Sequence, residues 1–534
     1  MRFSKWSVLA LSVLSKANEQ YPPLELKLSI SRHPPASFTH LSKRDVAQDD
    51  IELGLLASHT FYRAKVRFGS EQEPVDLLVD TGSCSTWVMT KDVECFHSQQ
   101  LMVDARLSRR QEGAGPIIED APVGVLERIP ETGAQQQPQK IALPKTPVAE
   151  LKHIDGQKCK RFGSFDSSKS TTFKKIATNA EFDIKFSDNT FSKGFWGHDT
   201  LYFGGIEVPH TQFGVVQKTD NIIGILGLGS DKSKRLPAEK IKYPDDFQTF
   251  PFVLQKHGLV KRAVFSLYLD EPNQRSGSVL FGAVDHAKYH GTLHTVPFAN
   301  YYSQFSPEPL FYDVQLDSIE VEEPGKTATR IPADLVALLD SGSTLCSFNE
   351  AILTPLARSL GGVWRESVRL YEVDASAIQE RHVSFWISSI KITIPAPRLL
   401  VRIKGVSYLG VSLEARQRLI LGEEFLRHAY VVFDPERNEV SMAQAKYTAL
   451  KDVEIVTGDI PRAIRADATA ESTENRGTGV LASGNAKAPA AVPKKVRFKE
   501  EPEVIGVYDN AKSGEVPDPE GGGENRLGET LRVV

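Results

Sequence analysis

Two aspartates stand in nearly the same local sequence, Leu77-Leu78-Val79-Asp80-Thr81-Gly82-Ser83 and Ala337-Leu338-Leu339-Asp340-Ser341-Gly342-Ser343. In each, an apolar run stops at a carboxylate, which is followed by a hydroxyl, a glycine and a second hydroxyl. Two carboxylates held side by side do not both ionise, so they share one proton. Such a pair can work as base and acid on a water molecule. Gly82 and Gly342 allow the backbone to approach the carboxylates and donate N–H bonds to them. One Asp-hydroxyl-Gly turn is unremarkable, but its repetition in the same setting points to a two-fold site in which Asp80 faces Asp340.

Both turns need rigid strands beneath them. Phe61 to Phe68 alternates in hydrophobicity, Gly69-Ser70 turns, and the apolar run Leu77 to Val79 leads into Asp80. Ser85 to Met89 forms another strand and carries Trp87. Further on, Glu181 to Phe186, the turn Ser187-Asp188-Asn189-Thr190 and Phe191 to Phe203 make a hairpin. The glycine-studded run Ile222 to Gly229 suits close backbone approach in a core. The spacing predicts an all-β protein built twice. Asp80 precedes Ile222-Ile223-Gly224 by 224 − 80 = 144 positions, and Asp340 precedes Ile420-Leu421-Gly422 by 422 − 340 = 82. The difference, 62, matches the 63 residues enclosed by Cys95 and Cys159. Setting that insertion aside makes the halves nearly equal.

The bulk numbers narrow the function. A chain of 534 residues exceeds what one core packs comfortably, and a net charge of −4 without a basic aromatic face argues against a nucleic-acid partner. The four cysteines, Cys84, Cys95, Cys159 and Cys346, allow three pairings and show no Cys-x-x-Cys spacing. With no His-Glu-x-x-His either, neither a metal site nor a cofactor is expected.

Organisation along the chain reads as follows. In residues 1–17 two positive charges, Arg2 and Lys5, precede a short apolar stretch that is followed by small residues, the pattern of a secretory signal. The apolar stretch is too short to span a bilayer. Residues 18–44 close on the dibasic pair Lys43-Arg44 as a pro-segment. A first lobe covers 45–262, with a polar insertion over 96–158, and a second covers 263–446. The stretch 447–534, poor in aromatics and rich in Ala, Gly, Pro, Lys and Glu, is expected to be a disordered tail without a lipid-anchor signal. A secreted monomer is expected, with the vacuole or cell wall as the alternative destination.

Over roughly Thr60 to Tyr447 the sequence resembles the pepsin family of aspartic proteases. The resemblance rests on Asp80-Thr81-Gly82-Ser83, Trp87-Val88, Gly224 to Gly229, Asp340-Ser341-Gly342-Ser343 and the segment from Ile420 to Gln444. It implies a bilobal pepsin-like fold with the cleft between two duplicated β lobes, and an endopeptidase whose partners are polypeptide substrates. Asp80 and Asp340 are then catalytic. Thr81 and Ser341 cross-brace the turns, and Ser83 and Ser343 bind the outer carboxylate oxygens. The flap and substrate-binding positions fall on Phe186, Ser187, Asp188 and Trp87. Phe186 stands where the family has a tyrosine whose hydroxyl reaches the tryptophan indole, and Glu423 stands where an aspartate is usual. Cysteines flanking a loop after the first turn are similar to the fungal yapsin and candidapepsin branch, which implies a Cys95–Cys159 disulfide. Cys84 and Cys346 are open to pairing or to service as small buried hydrophobes. The leading expectation is cleavage at apolar sites in acid. The alternatives are yapsin-like processing at basic sites, and a catalytically weak pseudo-protease serving as a binding or cell-surface module.

Overall fold

The computed structural model describes residues 21, 23–31, 61–70, 73–96, 153–154 and 159–466, apart from 178–180, 187–189, 237–241, 272–275, 389, 404 and 415. The signal-like segment, Lys43-Arg44, the interior of the insertion and the chain past Ala466 lie outside these residues.

Alternation builds the first strands. In Phe61–Phe68, Tyr62, Ala64, Val66 and Phe68 point inward, following the period of two of an extended chain. Val75–Asp80 pairs antiparallel with it. On its other edge Val75–Asp80 runs parallel to Gly224–Gly227, with Leu77 opposite Gly224 and Asp80 opposite Gly227. Gly224 has to be glycine: a Cβ there would sit 2.6 Å from the Trp87 carbonyl oxygen. Gly224–Gly227 also pairs antiparallel with Trp87–Phe96 through Ile225 and Trp87.

The second half repeats this unit. Thr329–Leu339 runs parallel to Leu419–Leu421, with Leu339 opposite Leu421. Leu419–Leu421 pairs antiparallel with Cys346–Phe348 through Ile420 and Ser347. Trp87 and Ser347 each lie seven residues past an aspartate, so the duplication inferred from spacing is a duplication of strand pairing. A 16-stranded sheet carries the first unit and continues into strands of the second half, which adds sheets of seven and four strands. This is a bilobal pepsin-like β fold.

Leu24–Ser31 is the seam of the large sheet. It pairs with Ser276–Phe281 on one side, Leu24 opposite Phe281, and with Phe61–Phe68 on the other, Leu28 opposite Ala64. Leu24, Leu26 and Leu28 are buried there. A piece of the segment assigned to the pro-segment is therefore an interior strand of this sheet.

Two boundaries differ from the sequence-based ones. Phe96 ends a strand rather than opening the insertion, and His153–Ile154 pairs back onto it, Ile154 opposite Cys95. The Cys95–Cys159 disulfide closes the neck, its Cα atoms 6.4 Å apart. At the other end, 447–466 is folded and not tail. Val453–Ile455 pairs with Ala283–Asp285, and Ala463–Arg465 lies parallel to Leu293–Thr295. Val456 and Ile460 are buried, the His286 N–H donates to Asp452 O at 2.8 Å, and Arg262 Nη1 donates to Gly458 O at 2.7 Å. Composition missed this segment because its strands are three residues long. Backbone bonds and charged side chains hold them, and neither leaves a hydrophobic period to read.

Helices are few and short, the longest among the described residues being Glu350–Ser359, capped by Asn349, whose side chain accepts the Ile352 N–H at 3.2 Å. No helix among the described residues is long and apolar enough to cross a membrane.

Candidate active site

Each aspartate sits at the end of a buried strand, held by the turn that follows it. Asp80 Oδ1 accepts the N–H groups of Gly82 at 2.8 Å and Ser83 at 3.2 Å, and Oδ2 accepts the Ser83 hydroxyl. Asp340 Oδ1 accepts the Gly342 N–H at 2.9 Å, and Oδ2 accepts the Ser343 hydroxyl at 2.7 Å. The parallel partner strand then closes each turn from below. Gly229 N–H donates to Ser83 O, and Glu423 N–H donates to Ser343 O, both at 2.8 Å.

The turns meet each other. Thr81 Oγ1 donates to Leu339 O and Ser341 Oγ donates to Val79 O, each at 2.8 Å, so each hydroxyl reaches the strand of the opposite lobe. The carboxyl groups of Asp80 and Asp340 are within hydrogen-bonding reach of one another. The glycines make this approach possible: a Cβ on Gly82 would lie 2.5 Å from Asp340 Oδ1, and one on Gly342 would lie 2.5 Å from Asp80 Oδ1.

With Asp80 only 5% and Asp340 only 1% exposed, water does little to stabilise two charges here. Burial, and then the neighbouring Asp340 charge, push Asp80 up to about 7, against the pull of the Ser83 hydroxyl and the Gly82 N–H. The pair thus holds one proton across the mildly acidic range, titrating as a unit. A carboxylate beside a carboxylic acid can take a proton from water and give one to a carbonyl oxygen without a metal or a covalent intermediate.

The hairpin Glu181–Lys185 and Phe191–Phe203 is closed by the Phe186 N–H donating to Thr190 O at 2.8 Å. Phe186 faces Trp87, ring centroids 6.3 Å apart, and the buried Trp87 Nε1 has no hydrogen-bond partner among the described residues. With phenylalanine at 186, no flap hydroxyl among the described residues meets this indole N–H. Ser187 and Asp188 lie outside the described residues. Cys84 and Cys346 are not joined in a disulfide. The Cys346 thiol is pushed up to about 12 by burial, while Cys84 Sγ lies 3.2 Å from Tyr243 Oη.

Several supports were invisible to motif reading. Tyr312 Oη donates to Leu228 O at 2.9 Å, and the Leu228 N–H donates to Asp80 O at 2.7 Å, which ties the second half to the back of the first turn. The Tyr62 N–H donates to Glu423 Oε1 at 3.0 Å, and Arg427 Nη2 donates to Glu423 Oε2 at 3.0 Å. Burial pushes Glu423 up to about 8 despite Arg427. The one available signal was the Glu at 423, a methylene longer than the family's usual aspartate.

A family model of eukaryotic aspartyl proteases matches residues 61–445, and the chain belongs to that family. It is a fungal-type member of the pepsin-like aspartic proteases, an aspartic endopeptidase acting on polypeptides. Among its relatives, aspartic proteinase 3 of Saccharomyces cerevisiae is 30% identical over 462 residues, which cover 81% of this chain and 78% of that one. Secreted aspartic protease 9 of Candida albicans is 29% identical, covering 84% of this chain and 90% of the relative. Aspartic proteinase yapsin-3 of Saccharomyces cerevisiae is 33% identical over 58% of this chain and 62% of its own.

Proposed function

We propose that Asp80 and Asp340 are the catalytic pair of this protease, and that it cuts between apolar residues in acid. The ionised carboxylate takes a proton from a water molecule as its oxygen attacks the scissile carbonyl carbon. The protonated carboxyl gives its proton to the carbonyl oxygen, forming a tetrahedral diol. On collapse the proton returns to the pair, the leaving nitrogen is protonated and the C–N bond breaks. Gly82, Ser83, Gly342 and Ser343 hold the carboxylates, while Thr81 and Ser341 keep the two halves in register. The reciprocal contact of each turn glycine with the opposite carboxyl is the observation that carries the proposal.

The apolar preference is supported by the partly exposed apolar side chains near Asp80. Leu78 and Phe186 pack on the buried cluster that holds Trp87 and Ile225. The relatives include a protein named as secreted, which supports an extracellular product. Residues 1–17 then act as its signal, 18–44 as its pro-segment, and the mature enzyme works as a monomer.

Digestion of a denatured protein across pH, with and without pepstatin, tests the catalytic part. Asp80→Asn and Asp340→Asn should each abolish cleavage, and retained cleavage in either would overturn the assignment. As pH rises through about 7 the pair loses its shared proton, no acid is left to protonate the carbonyl oxygen, and activity should fall. A peptide library decides the subsites: cuts beside bulky apolar residues support the proposal, and cuts after Lys or Arg assign the processing role instead.

A further inference from the structure

Phe186 cannot supply a hydroxyl to Trp87, so the tie between flap hairpin and catalytic turn has to run elsewhere. The described residues offer a continuous route. Trp196, on the second strand of the hairpin, packs edge-on against Phe182 of the first, centroids 4.9 Å apart. Trp196 Nε1 donates to Lys242 O at 3.0 Å, and its ring meets Tyr243 at 5.6 Å and Phe247 at 5.2 Å. Lys234 Nζ donates to Phe247 O at 2.7 Å and fixes this loop from behind. Tyr243 then turns its hydroxyl to the first catalytic turn, 3.1 Å from Ser85 Oγ and 3.2 Å from Cys84 Sγ.

Cys84 and Ser85 follow directly on Ser83, whose hydroxyl holds Asp80 Oδ2. Ser85 itself is wedged against the partner strand, since a Cβ on Gly227 would lie 2.7 Å from the Ser85 N. We infer that Tyr243 is a positioning residue for this protease, its hydroxyl carrying the link between hairpin and Asp80 turn that Phe186 does not provide. Tyr243 touches no reacting atom and acts through Ser85, Cys84 and Ser83. The ring anchors it among Trp196 and Phe247, so its hydroxyl is the only group facing the turn that a Phe substitution removes.

The inference rests on aspartic-protease chemistry and not on the proposed apolar preference, so a denatured protein or any peptide that is cut serves as substrate. Parent, Tyr243→Phe, Phe186→Tyr and the double variant are compared for kcat, KM and pH profile, with thermal midpoints recorded alongside. Tyr243→Phe should lower kcat about tenfold, the rate equivalent of roughly one hydrogen bond, with KM changing far less. The alkaline limb should move to higher pH, because a loosened Ser83 hydroxyl no longer pulls Asp80 down. Phe186→Tyr restores a hydroxyl beside Trp87 Nε1, so the cost of Tyr243→Phe should shrink to about threefold or less in that background. Two outcomes overturn the inference. One is an unchanged kcat and alkaline limb in Tyr243→Phe. The other is an undiminished loss in the Phe186→Tyr background, which would make Tyr243 a packing residue alone.

Discussion

Thr81 and Ser341 brace the two halves reciprocally, each donating its amide to the other's hydroxyl oxygen, at 3.1 and 2.9 Å across 260 positions of sequence. Together with the two hydroxyl-to-carbonyl bonds, every donor of this pair is used, and each lobe fixes the position of the other's aspartate. Thr81→Val keeps the shape but removes the oxygen, leaving the Ser341 N–H and the Leu339 carbonyl unpaired in a buried site. Denaturant unfolding should show a loss of about 2–4 kcal/mol, while Thr81→Ser should lose under about 1 kcal/mol.

Gly82 tests the close approach separately from folding. Its Cβ position is 2.5 Å from Asp340 Oδ1, so Gly82→Ala must push that carboxyl away. Since a displacement near 1 Å can cost about a hundredfold in rate, kcat should fall at least that far in a protein that still folds. Circular dichroism alongside the activity assay separates the two effects.

Glu423 should shape the pH dependence of stability. Its folded pKa, about 8, lies above the ordinary 4.5, so the folded state binds the proton more tightly than the unfolded state. That contribution is full below about 4.5 and is lost as pH rises towards about 8. Asp80, raised from 3.8 to about 7, acts in the same direction. His428 opposes them: burial holds it down at about 3 against an ordinary 6.5, so it destabilises the fold as pH falls through that window. Thermal melts of Glu423→Gln and parent should therefore converge below pH 4, with the parent losing ground progressively from about pH 4.5 to 8.

Residues 447–466 predict a truncation result. A chain ending at Lys446 loses the strands Val453–Ile455 and Ala463–Arg465 and the burial of Val456 and Ile460. The two side chains alone correspond to about 3–5 kcal/mol. A chain ending at Lys446 should melt well below one ending at Ala466.

What the sequence determined by itself was local and repeated. Asp80 and Asp340 could be found because each motif spans a few neighbouring residues. The duplication could be found because the strand that closes each turn carries its own apolar-Gly signature at matching spacing. Side-chain period two likewise exposed Phe61–Phe68 and the hairpin around Phe186. Tertiary structure decided everything that depends on which distant surfaces meet. Tyr243 reaches Cys84 across 159 positions, and Tyr62 reaches Glu423 across 361, so no window of sequence contains either pair. Leu24–Ser31 alternates like any strand, but alternation says nothing about which edges will receive it. The strands at Val453 and Ala463 are placed by backbone bonds, which every residue except proline can donate and which leave no mark on composition. The two buried side chains between them, Val456 and Ile460, are too few to read as a period. The catalytic chemistry is written in side-chain identity. The support behind it is written in geometry that exists only once the two halves have folded against each other.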